Sequence, residues 1–332
     1  MLSAAVVGLG VGEQHARALA AHSGVRLAAL CDLDPRLAER LAATLGRETA
    51  IAVAPEFDAI VADPAIDLVV LASYDDHHAQ QVLDALRAGK HVFCEKPLCR
   101  TPDEARAIVG ARAASHLACN LILRAAPLYL WLRDAIRAGE LGEIYAFDGD
   151  YLYGRLHKIT DGWRSAVDDY SVFQGGAIHL VDLMVWLLGE RPLRVAAVGN
   201  RVVTAATAFR YRDFVAATYE LPSGAIGRVT ANFGCVHKHQ HVVRVFGTRA
   251  TFVHDDAGAR LHLARDPGQP PRAIDRAATA ANKGDLVPRF VDAVLAGIDP
   301  APTARHEIDV MIACIAADTA LASAQPLSIE YP

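Results

Sequence analysis

Apolar positions follow one pattern up to about residue 120 and a different pattern beyond it. In the first part, short apolar runs such as "AAVVGL", "VRLAALCD", "IDLVVLAS" and "HVFCEKP" alternate with segments whose apolar residues recur at helical spacing. Near-continuous apolar strands that alternate with amphipathic helices are typical of a parallel sheet covered on both faces. We therefore expect a doubly wound α/β domain of the Rossmann type over residues 1–120, with its ligand crevice at the carboxyl ends of the strands.

The second part, residues 121–332, shows the pattern of a different domain. "YAFDGDYLYG" alternates apolar and polar positions, as a half-exposed strand does. "FVAATYELPSGAIGRVTANFG" and "HQHVVRVFGTRATFVHD" predict strands joined by short Ser-Gly and Gly-Thr turns. Together they predict an α+β domain with a large, mostly antiparallel sheet. A last helix over roughly residues 305–324 is apolar on one face, and we expect it to pack back on the first domain.

The composition limits the class of protein. The chain has 332 residues, 52 % of them hydrophobic, which is enough for two domains with buried cores. A formal net charge of −5 argues against nucleic acid as a partner. No apolar run approaches the ~20 residues that cross a bilayer, and the N-terminus lacks the basic region of a signal peptide. We therefore expect neither membrane association nor export.

The six cysteines are scattered without the C-x-x-C spacing of metal or redox sites. Cys31, Cys94 and Cys119 lie in or beside apolar strand-like runs, where a thiol behaves as a small hydrophobic group. We interpret the cysteines as reduced core residues of a cytoplasmic protein, and we expect no metal site.

The turn after the first strand, "VVGLGVGEQH", places glycines at 8, 10 and 12 instead of in the usual G-x-G-x-x-G spacing. A strand precedes the turn and a helix follows it, so amides at the start of the helix can hold a pyrophosphate. Gly8 permits the tight turn, and Gly10 lets phosphates approach the backbone. We expect Gly12 to take the helix-packing role of the third glycine, in a shortened loop that also includes Val11.

Asp32 follows the second predicted strand, 22 residues beyond Gly10. A carboxylate at this position accepts hydrogen bonds from ribose hydroxyls and repels a 2′-phosphate. The cofactor is therefore expected to be NAD, although Arg36 keeps NADP open.

The stretch "GKHVFCEKPLCRTPDEA", together with "GLGVGEQHA" and "GGAIHLVDLMVWLLG", resembles the Gfo/Idh/MocA oxidoreductases, the group of glucose–fructose oxidoreductase and inositol dehydrogenase. The resemblance covers essentially the whole chain. It implies a Rossmann domain followed by a C-terminal domain built on a large, open-faced, mostly antiparallel sheet. In this family the open face often pairs with another subunit, so the resemblance implies a homodimer or homotetramer.

The resemblance also implies catalytic roles. Lys96 would lie beside the nicotinamide and the reacting carbon, where an ammonium can stabilise a developing alkoxide. Glu95 would be a nearby charge partner, and Pro97 is expected to follow a cis peptide bond. His179 would be the acid–base group, although a lone histidine on so apolar a helix is more often structural. Asp182, three residues on, could hold its imidazole in one tautomer.

The chain departs from the family pattern D-x-G-x-H-x-x-D at two positions. Gly175 stands where the first aspartate is usual and Ala177 stands at the glycine position, whereas Asp182 is retained. The contribution of the missing carboxylate must come from elsewhere, with Gln174 and Tyr170 as candidates, or be absent.

The stretch "LASYDDHHAQQ" corresponds to a family segment that often has the sequence A-T-P-N-x-x-H. Ser73 matches the small hydroxyl position and His78 the histidine, whereas Tyr74 replaces the proline. We expect Ser73 and Tyr74 to line the cofactor crevice, and His78 either joins them or has no ligand contact. The predicted cofactor-binding residues are Gly8, Gly10, Val11, Gly12, Asp32, Ser73, Tyr74, His78, Glu95, Lys96 and Pro97.

Positive and aromatic side chains are concentrated in "YLYGRLHKITDGWR", residues 151–164. Aromatic faces stack on sugar rings, and guanidinium groups bind carboxylates or phosphates, so we expect an anionic sugar as the substrate. The alternative is a solvated loop whose charges meet Asp161 and Asp168. The predicted substrate-binding residues are Asn120, Arg124, Tyr153, Arg155, His157, Lys158, Trp163, Arg164 and Asp182.

The stretch "HKHQH" places His237, His239 and His241 on one face of a predicted strand. Three imidazoles could bind zinc, but positions two apart on a strand are separated by about 6.5 Å and no cysteine or carboxylate motif completes the set. Contacts with substrate or another subunit, or a polar sheet face, are the other interpretations.

These features predict an NAD-dependent oxidoreductase acting on a secondary alcohol or ketone of an anionic sugar, such as a nucleotide sugar, a sugar phosphate or a uronate. A catabolic inositol or polyol dehydrogenase is the alternative, because a neutral polyol would not need Arg155, Lys158 and Arg164. A non-catalytic NAD-binding sensor is a third hypothesis, which Gly175 supports and the retained Lys96 and His179 oppose.

Overall fold

The apolar runs of the first part form a parallel sheet. The strands within the described residues, 1–46 and 50–332 of this computed structural model, are β1 (Leu2–Val7), β2 (Val25–Cys31), β3 (Ala52–Val53), β4 (Leu68–Leu71), β5 (His91–Cys94) and β6 (Leu117–Cys119). Their order in the sheet is β3-β2-β1-β4-β5-β6, and every pair is parallel. This is the strand order of a doubly wound sheet, so the predicted Rossmann fold is confirmed.

Helices connect these strands. They are α1 (Gly12–Ala20), α2 (Pro35–Leu45), α3 (Phe57–Ala62), α4 (His78–Arg87) and α5 (Pro102–Ala111). The start of α5 shows why a helix begins there: the Thr101 side chain accepts a hydrogen bond from the Glu104 amide, and the Glu104 side chain binds the Thr101 amide in return. Val6, Leu30 and Val70 are paired across adjacent strands and bury one face of the sheet, and the alternate residues Ala5, Val69 and Leu71 bury the other.

The second part forms a larger sheet. Its strands among the described residues are β7 (Ile144–Leu152), β8 (Arg194–Asn200), β9 (Phe214–Glu220), β10 (Ile226–Asn232), β11 (Gln240–Gly247), β12 (Thr251–Asp255), β13 (Gly258–His262), β14 (Arg272–Ile274) and β15 (Leu327–Ser328). The order is β14-β13-β12-β11-β7-β10-β9-β8-β15, and all pairs are antiparallel except β7 with β10. The predicted, mostly antiparallel sheet is therefore confirmed.

The remaining helices are α6 (Pro127–Arg137), α7 (His157–Thr160), α8 (Ile178–Leu188), α9 (Val287–Leu295) and α10 (Ala301–Ser323). A π-helical turn over Phe173–Ala177, which the sequence did not indicate, leads directly into α8. Helix α8 packs on the sheet at β7, where Gly149 leaves room for Leu180. No helix among the described residues is long and apolar enough to cross a membrane.

Two structural units can be distinguished. The first comprises residues 1–125, 280–308 and 332, and the second comprises residues 126–279 and 309–331. Helix α9 thus belongs to the first unit, where Phe290 and Val291 pack in the same core as Phe93. Helix α10 contributes its beginning to the first unit and the rest to the second. The sequence predicted a return to the first domain for the last helix, but the return already made by α9 was not predicted, because periodicity reports which helix face is buried and not what covers it.

Candidate active site

Residues that follow neighbouring parallel strands meet at one edge of the first sheet. Val7 pairs with both Cys31 and Leu71, and Cys94 pairs with Leu71 and Cys119. The pairing continues one step further, since the Glu95 amide donates to the Leu71 carbonyl at 2.8 Å. The residues next along each strand therefore form a row, which consists of Gly8, Asp32, Ala72, Glu95 and Asn120.

The three glycines of the turn have different physical roles. Gly8 has a φ of +81°, and a Cβ on it would lie 2.5 Å from the Ala72 carbonyl oxygen. A Cβ on Gly12 would lie 3.1 Å from the Ala72 Cβ, so this glycine lets α1 pack closely on the sheet. At Gly10 no atom lies within 4 Å of the Cβ position, which leaves open space beside the start of α1. Phosphates fit such a turn, because they need backbone amides and unobstructed approach.

The Asp32 carboxylate is oriented by the turn. It accepts hydrogen bonds from the Leu9 amide at 2.6 Å and from the Asp34 amide at 2.9 Å. Arg36 is the residue that kept NADP as an alternative cofactor. Its Nε donates a hydrogen bond to the Asp34 carboxylate at 2.9 Å. The acidic group is thus fixed at the edge of the sheet, and the nearby guanidinium already has an anionic partner.

A buried carboxylate lies directly before Lys96. Glu95 Oε1 is 2.9 Å from His15 Nε2 and accepts from Asn120 Nδ2 at 2.6 Å. Burial raises the pKa of Glu95, but the hydrogen bond and charge of His15, the charge of Lys96 and the Asn120 amide outweigh it, and the pKa falls to about 2. Glu95 is therefore a permanent anion next to Lys96. The Lys96–Pro97 peptide is cis, as expected.

Three predicted ligand residues have hydrogen-bond partners within the first unit. His78 is fully buried, with Nδ1 at 2.8 Å from the Pro97 carbonyl oxygen and Nε2 at 3.1 Å from that of Ser73. Asn120 is 2 % exposed and also binds the Lys283 carbonyl at 3.1 Å. Arg124 pairs with buried Glu307 at 3.1 Å. The His78 ring nitrogens and the Arg124 guanidinium thus contact the protein itself, whereas Asn120 Oδ1 is buried without a hydrogen-bond partner in the described part of the chain. Ligand binding by these three residues stays a prediction.

Of the other residues expected in the cofactor crevice, Ser73 donates to Gln81 at 2.6 Å and Tyr74 is exposed. Sequence reasoning missed His15. The signal was its position in the first helical turn beside the glycines, which places its Nε2 at 2.9 Å from Glu95 at the sheet edge.

His179 lies at the start of α8 and is 7 % exposed. Asp182, one turn further along the helix, is fully buried. The π-helical turn before α8 needs its glycines. A Cβ on Gly176 would lie 2.5 Å from the Tyr151 ring and 2.7 Å from the Phe233 ring.

Tyr170 fills the space that a side chain at position 175 would occupy. A Cβ on Gly175 would collide with the Tyr170 hydroxyl, which accepts a hydrogen bond from Arg164 Nε at 3.0 Å. Position 175 is one turn before His179 on the same helix face. The other candidate, Gln174, donates to Asp318 at 2.9 Å. Of the two, Tyr170 is thus the one in the place of the missing carboxylate.

The positive charges of residues 151–164 divide into two groups. Arg164 stacks on Trp163 at 4.4 Å and binds Tyr170, so its guanidinium is used within the fold. Arg155, His157 and Lys158 are exposed, and Arg155 lies over the Tyr153 ring at 5.5 Å. Tyr153 is itself buried, stacked on Phe233 at 4.4 Å. Its ring is not an open platform for a sugar, which corrects that expectation.

The "HKHQH" histidines do not share one strand face. His237 lies outside the strand with Nε2 at 2.8 Å from Asp256, and this hydrogen bond raises the pKa of His237. His239 and His241 lie together, with ring centroids 5.1 Å apart, and His241 is 5.8 Å from His179. Among the described residues, no three His, Cys, Asp or Glu side chains are grouped as a metal site.

A glycine turn, an acidic residue after β2 and a lysine after β5, all along one edge of a parallel sheet, define a nucleotide-binding oxidoreductase of the Rossmann class. Residues 2–121 match the model of an oxidoreductase family with an NAD-binding Rossmann fold, and residues 129–253 match the GFO/IDH/MocA C-terminal domain. The chain belongs to the Gfo/Idh/MocA family of oxidoreductases. The predicted family and the predicted cofactor, NAD, are thereby confirmed.

Similar proteins share most of the chain. It is 27 % identical over 333 residues to inositol 2-dehydrogenase of Rhizobium meliloti (strain 1021), covering 96 % of each protein. It is 32 % identical over 201 residues to inositol 2-dehydrogenase of Acidothermus cellulolyticus, covering 59 % of this chain and 56 % of that protein. The solved structure of levoglucosan dehydrogenase with NADH and L-sorbose has a TM-score of 0.86 at 21 % identity, covering 100 % of this chain and 99 % of that one. This last likeness concerns the fold.

Proposed function

We propose that the protein is an NAD-dependent dehydrogenase that oxidises a secondary alcohol of a neutral cyclic polyol or anhydro sugar. The observation that carries this proposal is the row of residues along the edge of the parallel sheet, where the glycine turn, Asp32 and the Glu95–Lys96 pair follow adjacent strands. The choice of a neutral substrate replaces the anionic sugar that the sequence favoured.

The residues of the sheet edge fit NAD. The amides at the start of α1 and the open space at Gly10 suit a pyrophosphate, and the Asp32 carboxylate suits the ribose hydroxyls. NAD supplies the hydride acceptor of the reaction. Arg36 is already bound to Asp34, which supports NAD over a cofactor with a 2′-phosphate.

Lys96 stabilises the alkoxide that forms as the hydroxyl loses its proton. Its ammonium follows the anionic Glu95, and the cis peptide to Pro97 fixes the turn of the backbone after it. A fixed positive charge at the developing oxyanion is the largest single contribution that a side chain makes in such reactions. Glu95 keeps that charge in place without receiving the proton, because its own pKa is low.

His179 accepts the hydroxyl proton. It lies at the start of a buried helix, and an imidazole is the side chain whose protonation changes near neutral pH. The phenol of Tyr170 lies on the same helix face, in the place where a carboxylate is usual in the family. We assign Tyr170 to the orientation of His179, together with Arg164, whose guanidinium fixes the phenolic oxygen.

Two observations favour a neutral substrate over an anionic one. Arg164 donates to Tyr170 and stacks on Trp163, so part of the guanidinium that the anionic hypothesis needed is used within the fold. Two relatives, which match 96 % and 59 % of this chain, are named inositol 2-dehydrogenase. Hydroxyl groups need only hydrogen-bonding partners, whereas a phosphate or carboxylate needs an uncommitted cation.

The proposal is tested by NADH formation with a panel of inositols, anhydro sugars, sugar phosphates and uronates. We expect turnover with neutral cyclic polyols and little with the anionic compounds. The double variant Arg155→Ala/Lys158→Ala should change the KM for the polyol by less than about twofold. If the wild type preferred an anionic sugar and the double variant lost that preference, the proposal of a neutral substrate would be wrong. Tight NADH binding without turnover on any compound would favour a sensor.

A further inference from the structure

Three imidazoles form a continuous row in the second unit. The rings of His179 and His241 are perpendicular with centroids 5.8 Å apart, and those of His241 and His239 are perpendicular at 5.1 Å. Rings at these separations are close enough for a proton to pass between them through one bridging water molecule. The row begins at buried His179 and continues to His241 and His239, which are half-buried.

The surroundings of the row are aromatic. Tyr151 contacts both His239 and His241, at 5.2 Å and 5.1 Å between centroids, and Tyr153 contacts His239 at 5.7 Å. Burial raises the pKa of Tyr151, so its phenol stays neutral and does not compete as a base. The titratable side chains whose rings contact His241 are His179, His239 and Tyr151, and His254 lies at 3.0 Å from the backbone carbonyl of His241. Tyr153, Tyr170, Arg155 and Arg164 act in turn on Tyr151.

We propose that His241 and His239 carry the proton from His179 towards solvent during turnover. The inference rests on the proposed function. Bound NAD would accept the hydride of the alcohol carbon, and His179 takes the hydroxyl proton. His179 must lose that proton before the next turnover, yet it is nearly buried. His241 accepts it and passes it to His239, so that one proton leaves for each hydride transferred.

Imidazoles suit this task because they gain and lose a proton near neutral pH without a large change in free energy. His241 and His239 act through His179 and not on the substrate. Their replacement should therefore lower turnover while leaving substrate binding unchanged. His237 belongs to the same "HKHQH" stretch but is bound to Asp256, away from the row, and so provides a matched control.

The test compares His241→Gln with His237→Gln in dilute buffer and in concentrated imidazole buffer. We expect kcat of His241→Gln to fall about tenfold in dilute buffer, with KM unchanged, and to recover when imidazole supplies an external proton acceptor. His237→Gln should behave as the wild type in both buffers. His239→Gln is the second variant, with a smaller loss and the same recovery. An unchanged kcat, or a loss that imidazole does not restore, would overturn the relay.

A titration without substrate separates this inference from the proposed function. The ring signals of His179 are followed by NMR against pH in the wild type and in His241→Gln. Coupled imidazoles titrate together, so removal of His241 should shift the midpoint of His179. An identical His179 titration in both proteins would overturn the relay, whether or not a polyol is turned over. A shifted midpoint in a protein that oxidises no polyol would contradict only the proposed function.

Discussion

Gly175 lies in the π-helical turn before the helix of His179, and the Tyr170 hydroxyl occupies the space that a Cβ on this glycine would need. Sequence comparison with the family identified the departure and named Tyr170 as one candidate. It could not choose between Tyr170 and Gln174, because that choice depends on which side chain the fold turns towards the glycine.

Replacing Gly175 with alanine tests this packing. Alanine favours a helical backbone over glycine by about 1 kcal/mol, whereas a methyl group forced against Tyr170 costs about 1–3 kcal/mol. We expect Gly175→Ala to destabilise the protein, and Tyr170→Phe to relieve part of that loss. Denaturant unfolding of both single variants and the double variant should give a coupling of at least about 0.5 kcal/mol. Strictly additive free energies would contradict the placement of the phenol.

At the scale of elements, the π-helical turn over Phe173–Ala177 is the feature that the sequence did not indicate. Its apolar and glycine residues look like the start of an ordinary buried helix, and an additional residue in one turn leaves no periodic signal in so short a segment. The turn is supported from α10 by Asp318, whose carboxylate accepts from Gln174 at 2.9 Å. The π-turn, α8 and α10 thus form one assembly in the second unit.

Asp318 makes that assembly sensitive to pH. Burial raises its pKa to about 6, against the opposing hydrogen bonds of Ser171 and Gln174. Because the folded protein holds this proton more tightly than the unfolded chain, stability falls as pH rises from about 4 to 6, by roughly 3 kcal/mol. Asp318→Asn should unfold like the wild type near pH 4 and be more stable above pH 6. The melting temperatures of both proteins, measured at several pH values across this range, test the prediction.

Asp161→Asn, at an exposed aspartate, is the control for Asp318→Asn and should follow the wild type at every pH. A difference between Asp318→Asn and the wild type that stays constant with pH would contradict a raised pKa at Asp318. It would show instead that the asparagine acts through shape alone.

At the scale of the whole molecule, the first unit was the more predictable. Its strands are short apolar runs separated by helices, two of which have side-chain caps at Asp34 and Thr101, and parallel strands must be covered on both faces. The antiparallel sheet was also predicted, but not the row formed by His179, His241 and His239. That row joins residues about sixty positions apart along the chain, and no local pattern reports such a contact.

In the proposed function, cofactor binding and stabilisation of the alkoxide are carried out by different residues of one sheet edge, Asp32 and Lys96. The most direct test measures NADH binding and polyol oxidation together in the wild type, Asp32→Ala and Lys96→Ala. We expect Lys96→Ala to bind NADH within about threefold of the wild type while kcat falls by about a hundredfold or more. Asp32→Ala should bind NADH about tenfold more weakly. A kcat of Lys96→Ala equal to that of the wild type would contradict the role assigned to Lys96.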